Sequence, residues 1–135
     1  MKVAIVIDKE LPIGFAANTA AVLGVSLGNL ASEIIGPDVK DADERIHRGI
    51  TSKSIPILGG TKEQLKIIRE KLNGEEFADL IFVDFSQIAQ KSLDYATYTH
   101  KLQQTPGEDI EYLGCALYGP EKKIKHLTGS IGLLR

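Results

Sequence analysis

The 135-residue sequence has a single cysteine. Cys115 cannot close a disulfide within the chain, so a reducing, cytoplasmic compartment is the expectation. Strong net charge is also missing: 16 basic and 18 acidic residues leave −2 at pH 7. That excludes a broad, strongly basic nucleic-acid surface and leaves room only for a local basic patch. There is no internal repeat and no low-complexity segment. Charge of either sign is absent from Leu11 through Ser32, a run about as long as a membrane helix. Pro12, Gly14, Asn18, Thr19, Gly24, Ser26, Gly28 and Asn29 interrupt its apolar character. No aromatic belt or flanking Lys/Arg cluster marks its ends. The expectation is a helix in a soluble core or at a subunit interface, with no membrane partner. The apolar segment ahead of it is too short for a secretory signal.

The remaining composition, 43% hydrophobic and 25% charged, is that of an ordinary globular chain. One domain over residues 1–135 is expected, long enough to bury a core without disulfides or metals.

Lys2 to Ile7 is a continuous Val/Ile-rich run, the pattern of a strand buried on both faces. After a turn at Pro12 a helix is expected from about Gly14 to Leu30. Ala16, Ala20, Leu23, Leu27 and Leu30 form one stripe, and Ala17, Ala21, Gly24 and Gly28 the next. Each glycine costs the helix about 1 kcal/mol against alanine, and close packing is the expected compensation. Residues 34–50 read as a polar, turn-rich region with a short strand near Arg45 to His47. Ser54 to Leu58 reads as a strand at an edge or bulge, because of Pro56, with Gly59-Gly60 as a turn. Thr61 and Gln64 make a capping box for a helix to about Leu72. Leu65, Ile68 and Leu72 are its inward residues, and Asn73-Gly74 is its stop. Leu80 to Val83 reads as a strand, and Asp84 with Gln87 as a second capping box. The following helix carries Ile88, Tyr95 and Leu102 on one side. Tyr112 to Tyr118 is a strand with Leu113, Cys115 and Leu117 on one face. Residues 124–134 hold a helical turn and a last strand. Alternating strands and helices predict an α/β layered domain, one mixed sheet with helices on both faces.

Several stretches of unusual composition then become informative: IDKELPIGFAANTAAVLG, IIGPDVKDAD, VDFSQIAQ, YLGCALYGP and LTGSIGLLR. In these the chain resembles, nearly end to end, the domain of unknown function 2000 family. That resemblance implies a three-layer fold like that of the archaeal-type peptidyl-tRNA hydrolases (peptidyl-tRNA hydrolase II-like). Against the hydrolases themselves the likeness is patchy. Gly14-Phe15 and Ala16-Ala17-Asn18 stand where those enzymes have Gly-Lys and Ala-Ala-Gln. Asp84 and Ser86-Gln87-Ile88-Ala89 stand where they have an Asp followed by Thr-Gln-Ile-Ala. Gly119-Pro120 and Leu127-Thr128-Gly129 resemble their tail. The hydrolase lysine is replaced by Phe15, and no Lys or Arg occurs between Lys9 and Lys40. A lysine there would stabilise negative charge during ester hydrolysis; Phe15 cannot. Fold therefore transfers better than activity.

The site residues follow from these two lines. Asp84, at a strand's carboxyl end, is a candidate to orient water or act as general base, and equally a helix cap. Ser86 is a candidate to hold a substrate oxygen, or to act as a nucleophile if a base lies near, but no Gly-x-Ser-x-Gly elbow surrounds it and a capping or solvated hydroxyl is the plainer reading. Asn18 offers a donor and an acceptor to a ligand, or ties down a loop. The backbone N–H groups around Gly14 and Phe15 suit an anion, and Lys9 can reach in from the preceding loop. Gly59-Gly60-Thr61 lacks the full P-loop pattern. The acids from Asp38 to Glu44 with His47 lack EF-hand spacing and read as a solvated loop. Lys62, Lys66 and Arg69, and Lys122, Lys123, Lys125 and His126, are basic runs that read as solvated faces. Cys115 reads as a buried small hydrophobe. No metal and no cofactor is expected. Two function classes remain open. One is a hydrolase of an ester or amide, with an acyl-ester or, more weakly, tRNA-linked substrate. The other is a non-enzymatic ligand-binding or interaction module, expected to be a homodimer.

Overall fold

The computed structural model describes residues 1–135. The first strand, β1 (Lys2–Asp8), is buried along nearly its whole length. It sits at the centre of a four-stranded sheet of order β4-β1-β6-β5, with β4 at Ile57–Gly60, β5 at Ile81–Ser86 and β6 at Tyr112–Gly119. β4 runs parallel to β1, whereas β6 is antiparallel to both β1 and β5. The sheet is mixed and flanked by helices, as the alternation of elements predicts.

The two faces of β1 separate the core in two. Val3, Ile5 and Ile7 join a cluster with Leu23 and Leu27 of α1 (Ile13–Leu30). Ala4 and Val6 join a second cluster with Leu65 and Ile68 of α2 (Lys62–Lys71) and Ile124 of α5 (Glu121–Thr128). A buried leucine contributes about 1.5–3 kcal/mol, so each stripe suffices to dock its helix. α1 is long and apolar enough to cross a membrane by length and composition. Here it packs on the sheet through Ala16, Thr19, Leu23 and Leu27. Leu30, expected on that stripe, is exposed instead.

The close approach of α1 depends on a glycine in the sheet rather than one in the helix. A Cβ on Gly114 would lie 2.8 Å from Thr19 Cγ2 and 2.9 Å from Leu23 Cδ1. A Cβ on Gly14 or Gly24 would meet nothing within 4 Å. Packing within the chain therefore does not offset Gly14 or Gly24.

Other boundaries move for similar reasons. Gly59 and Gly60 belong to β4, opposite Ile7 and Asp8, and make no turn. A Cβ on Gly60 would meet Val6 Cγ1 at 2.8 Å, so glycine is what this strand pairing admits. Thr61 and Gln64 form the expected capping box (Gln64 N–H to Thr61 Oγ1, 3.1 Å; Thr61 N–H to Gln64 Oε1, 2.9 Å). β5 extends through Ser86, and the register shifts between Phe85 and Ser86, which pair with Gly114 and Tyr112. The extra residue, Leu113, turns to the α1 side with Phe85, while Cys115 and Leu117 face α2. A bulge thus breaks the alternation expected over residues 113–117. The helix expected after β5 is two pieces, α3 (Gln87–Lys91) and α4 (Tyr95–Gln103), the second capped by Asp94 accepting from Thr97 N–H at 2.7 Å. The strand near residue 46 exists as β3 (Ile46–His47), paired with β2 (Val39–Lys40). The final strand does not form; Leu133 only bridges to Leu58.

Candidate functional site

The carboxyl ends of β1, β4 and β5 and the amino end of β6 meet at one edge of the sheet. In open α/β sheets that edge is where ligands bind. There a cavity of about 300 Å³ is lined by Asp8, Glu10, Phe15, Lys62, Gln87, Gln90, Lys91 and Glu111, among others.

Its geometry follows from three local devices. The first is the turn after β1. Asp8 is 1% exposed, and its Oδ1 accepts the Glu10 N–H at 2.9 Å. Lys9 N–H donates to the Gly60 carbonyl at 2.9 Å, and Leu11 N–H to the Asp8 carbonyl at 3.1 Å. The turn delivers Pro12 and Phe15 of α1 to the cavity wall. The second is the Thr61 capping box, which sets Lys62 as the first residue of α2. The third is a reciprocal pair between strand ends. Gln87 N–H donates to the Glu111 carbonyl at 3.0 Å, and Glu111 N–H to Gln87 Oε1 at 2.8 Å.

The charges are mixed. Lys62 Nζ lies 2.5 Å from Glu111 Oε1. The hydrogen bond to Glu111 and then its charge hold the Lys62 ammonium above its ordinary range, against desolvation, and the Asp8 charge adds to this. Lys91 brings a second cation to the wall from α3. Cation, carboxylate and side-chain amide within one small cavity suit a ligand that carries both donors and acceptors.

Of the residues expected at the site, only Phe15 lines this cavity. Gly14 is next to it at the exposed start of α1. Lys9 is exposed, with its Cβ close to Gly59, and it does not line the cavity. Asn18 is exposed one turn further along α1. Ser86 is 2% exposed and accepts the Ala89 N–H at 3.4 Å, so it, and not Asp84, caps the helix after β5. Asp84 is inside β5, not at its end, and pairs with Arg69 (Nε to Oδ2, 2.9 Å). Asp84 is engaged by Arg69 and Ser86 by the Ala89 N–H, and no histidine lines the cavity that Asp84 borders.

Sequence reasoning missed Asp8, Lys62, Gln90, Lys91 and Glu111 as site residues. The signal for Asp8 was present: it is the acid that ends a buried strand, the same argument that was applied to Asp84. Lys62 was visible only as part of a basic helical stripe. That stripe is largely neutralised, because Lys62 pairs with Glu111 and Arg69 with Asp84, while Lys66 donates to the Glu108 carbonyl. In the second basic run Lys123 pairs with Asp79 and Lys125 with Glu121. The acidic loop is a braced hairpin, in which Asp41 pairs with Arg45 and His47, and Asp38 with Arg48. No group of three or more His, Cys, Asp or Glu side chains is arranged to hold a metal ion.

The fold recurs in a solved structure, a protein of unknown function (Atu0240) from Agrobacterium tumefaciens strain C58. It is similar with a TM-score of 0.86 and 17% identity, over 98% of this chain and 96% of that one. At that identity the likeness speaks for the fold alone. No curated protein matches the chain. The family model for the protein of unknown function DUF2000 matches residues 1–135, and the chain belongs to that family.

Proposed function

We propose that this protein binds a small polar ligand, zwitterionic or amide-bearing, in the carboxyl-edge cavity. The observation that carries the reading is the convergence of Asp8, Lys62, Gln87, Gln90, Lys91 and Glu111 from β1, α2, α3 and the segment just before β6. The fold is read as peptidyl-tRNA hydrolase II-like. Two segments that resemble those enzymes, Gly14-Phe15 and Ser86-Gln87, flank this same cavity, which supports that reading. Lys62 and Lys91 offer a ligand carboxylate the positive charge that α1 lacks, and Asp8 with Glu10 offers acceptors to an ammonium or amide N–H. The test is calorimetry with free and N-acylated amino acids. Binding weakened by Lys62→Ala supports the site; affinity unchanged in Lys62→Ala and Lys91→Ala overturns it.

A second reading, hydrolysis of an ester or amide in this cavity, is favoured by Asp8. A carboxylate removed from bulk water and held by one backbone N–H is placed to orient a water. Asp84 is committed to Arg69, so catalytic work falls to Asp8 in this reading. Turnover of N-acyl amino-acid esters that is abolished in Asp8→Asn and kept in Asp84→Asn supports it. Absence of turnover leaves the domain a binding module.

For the expected homodimer we propose α1 as the contact face. The solvent side of that helix exposes Ile13 and Val25 and carries no charge, and Gly14 and Gly24 have open space before them. An uncharged face meets its own copy without like-charge repulsion. With no acid in its first turn and no base in its last, an antiparallel partner would complement the helix dipole. Light scattering tests it: a dimer dissociated by Gly24→Leu supports the placement, and a wild-type monomer dismisses it.

A further inference from the structure

A second cavity, of about 490 Å³, shares no residue with the first. α3 is the wall between them: Ala89 faces one, Gln87, Gln90 and Lys91 the other. The second cavity lies along the free edge of β5, between the latter half of α1 and the segment where α3 breaks into α4. Val22 of α1 and Val83 and Phe85 of β5 give it an apolar floor. Tyr95 and Tyr98 form the opposite side, their rings edge to face at 5.3 Å.

Asp84 and Asp94 line it, and no Lys, Arg or His does. Asp84 is paired with Arg69 of α2, so the unpaired charge of the cavity is that of Asp94. Each aspartate has one oxygen engaged by the protein, Oδ2 of Asp84 by Arg69 and Oδ1 of Asp94 by the Thr97 N–H. The field reaches the aromatic side, because the Tyr98 phenol is pushed up first by burial and then by the Asp84 charge. Cavities of this size with a mainly apolar lining and few polar groups are ligand sites. Tyrosine faces attract a cation, most strongly where water is excluded. An anion would meet the Asp94 carboxylate and no lining side chain of opposite charge.

We propose that this cavity is a second ligand site, selective for an amphipathic organic cation. The ligand class is a protonated amine or quaternary ammonium with an aliphatic or aromatic body. Its apolar body lies on Val22, Val83 and Phe85, and its cationic head sits between the tyrosine pair and Asp94. The site is independent of the carboxyl-edge cavity, from which α3 separates it.

The experiment titrates ¹⁵N-labelled protein with hexyltrimethylammonium, 1-hexanol and hexanoate, three probes with the same tail. Saturable shifts at Val22, Val83 and Tyr98 are expected for the cation. Affinity about ten-fold lower is expected for hexanoate, since each like charge near the head disfavours it. Tyr98→Leu should weaken the cation about five-fold. Asp94→Asn keeps a good helix cap, so it removes charge without unfolding α4. It should narrow the gap between cation and alcohol and leave hexanol binding unchanged. Hexanoate or hexanol binding as tightly as the cation would overturn the proposal. So would an Asp94→Asn affinity equal to wild type, or cation-induced shifts confined to other parts of the molecule. Lys62→Ala serves as the control, because Lys62 does not line this cavity.

Discussion

Arg69 reaches from α2 to Asp84 on β5, Nε 2.9 Å from Oδ2, while its guanidinium lies 4.9 Å over the Phe82 ring. Both side chains are about one-quarter exposed, Arg69 25% and Asp84 28%. One arginine thus ties the edge strand to the helix that covers it. The pair also explains why the acid most conspicuous in the sequence does not stand free at the site.

Removing the pair should therefore alter stability before it alters binding at the carboxyl edge. A partly exposed ion pair is worth about 1 kcal/mol or less, and the stacked guanidinium adds a similar amount. Arg69→Ala is expected to lower the unfolding free energy by about 1–2 kcal/mol in urea titrations. A double-mutant cycle with Asp84→Ala should give a positive coupling. Coupling near zero would show that the pair holds nothing. Arg69→Lys should recover only part of the loss, because lysine keeps the charge but not the flat face.

Two glycines should respond in opposite directions to the same substitution. Gly114→Ala drives a Cβ into Thr19 and Leu23, with the Val6 carbonyl oxygen at 3.1 Å as well. Overpacking of this kind costs about 1–3 kcal/mol. Gly24→Ala meets nothing within 4 Å and removes a helix glycine, so the folded monomer should gain up to about 1 kcal/mol. Thermal or urea unfolding of the two variants checks both signs. Destabilisation by Gly24→Ala at protein concentrations where the wild type is dimeric, but not where it is monomeric, would place the missing packing across the subunit seam.

Some of this architecture was readable locally, and the rest depends on partners distant in sequence. The Val/Ile run of β1 and the Thr61–Gln64 box each satisfy their own backbone or burial needs within a few residues, so pattern alone identifies them. Gly59 and Gly60 look like a turn in isolation and become strand only because β1 runs beside them. Leu113 follows the alternation of its neighbours until the bulge opposite Phe85 and Ser86 turns it over. The carboxyl-edge cavity is assembled from residues 8, 62, 87, 91 and 111, and apart from the helical pair 87 and 91 no local spacing connects these. Only the strand order β4-β1-β6-β5 brings them together. Asp84 had a clear local signal, but its partner Arg69 comes from another element.

Cys115 gives a direct readout of core opening. It is 1% exposed, on the α2 side of β6. Burial pushes its thiol far above the ordinary range, and the Asp84 charge adds to this while Arg69 opposes it. The thiolate is the reactive species, so the native protein at pH 8 should resist a thiol reagent such as dithiobis-nitrobenzoate. Reaction should become complete in denaturing urea. Stoichiometric labelling within seconds under native conditions would show that the β6 core opens far more readily than its burial implies. Arg69→Ala should speed the slow native labelling through its effect on stability.

The acid limb of stability should depend on aspartates at helix ends and on the surface. Asp94 is held below the usual carboxylate range by the Thr97 backbone N–H and then by the Thr97 side chain. Asp79 is lowered chiefly by its hydrogen bond to Lys123, and Asp41 chiefly by His47. A carboxyl whose folded pKa is depressed adds stability that is complete above its unfolded pKa, about 3.9. That stability is lost as the pH falls through the folded value. The loss should therefore begin near pH 4 and deepen below it, with little change between pH 5 and 7 from these groups. Urea midpoints taken from pH 6 down to pH 2 measure it. Asp94→Asn retains the cap but cannot titrate, so its acid limb should be shallower than that of the wild type, and its midpoint near pH 6 only slightly lower. An identical slope in the variant would remove Asp94 from the linkage and leave the acid limb to Asp79, Asp41 and Glu121, where Lys123→Ala should flatten the Asp79 part by the same logic.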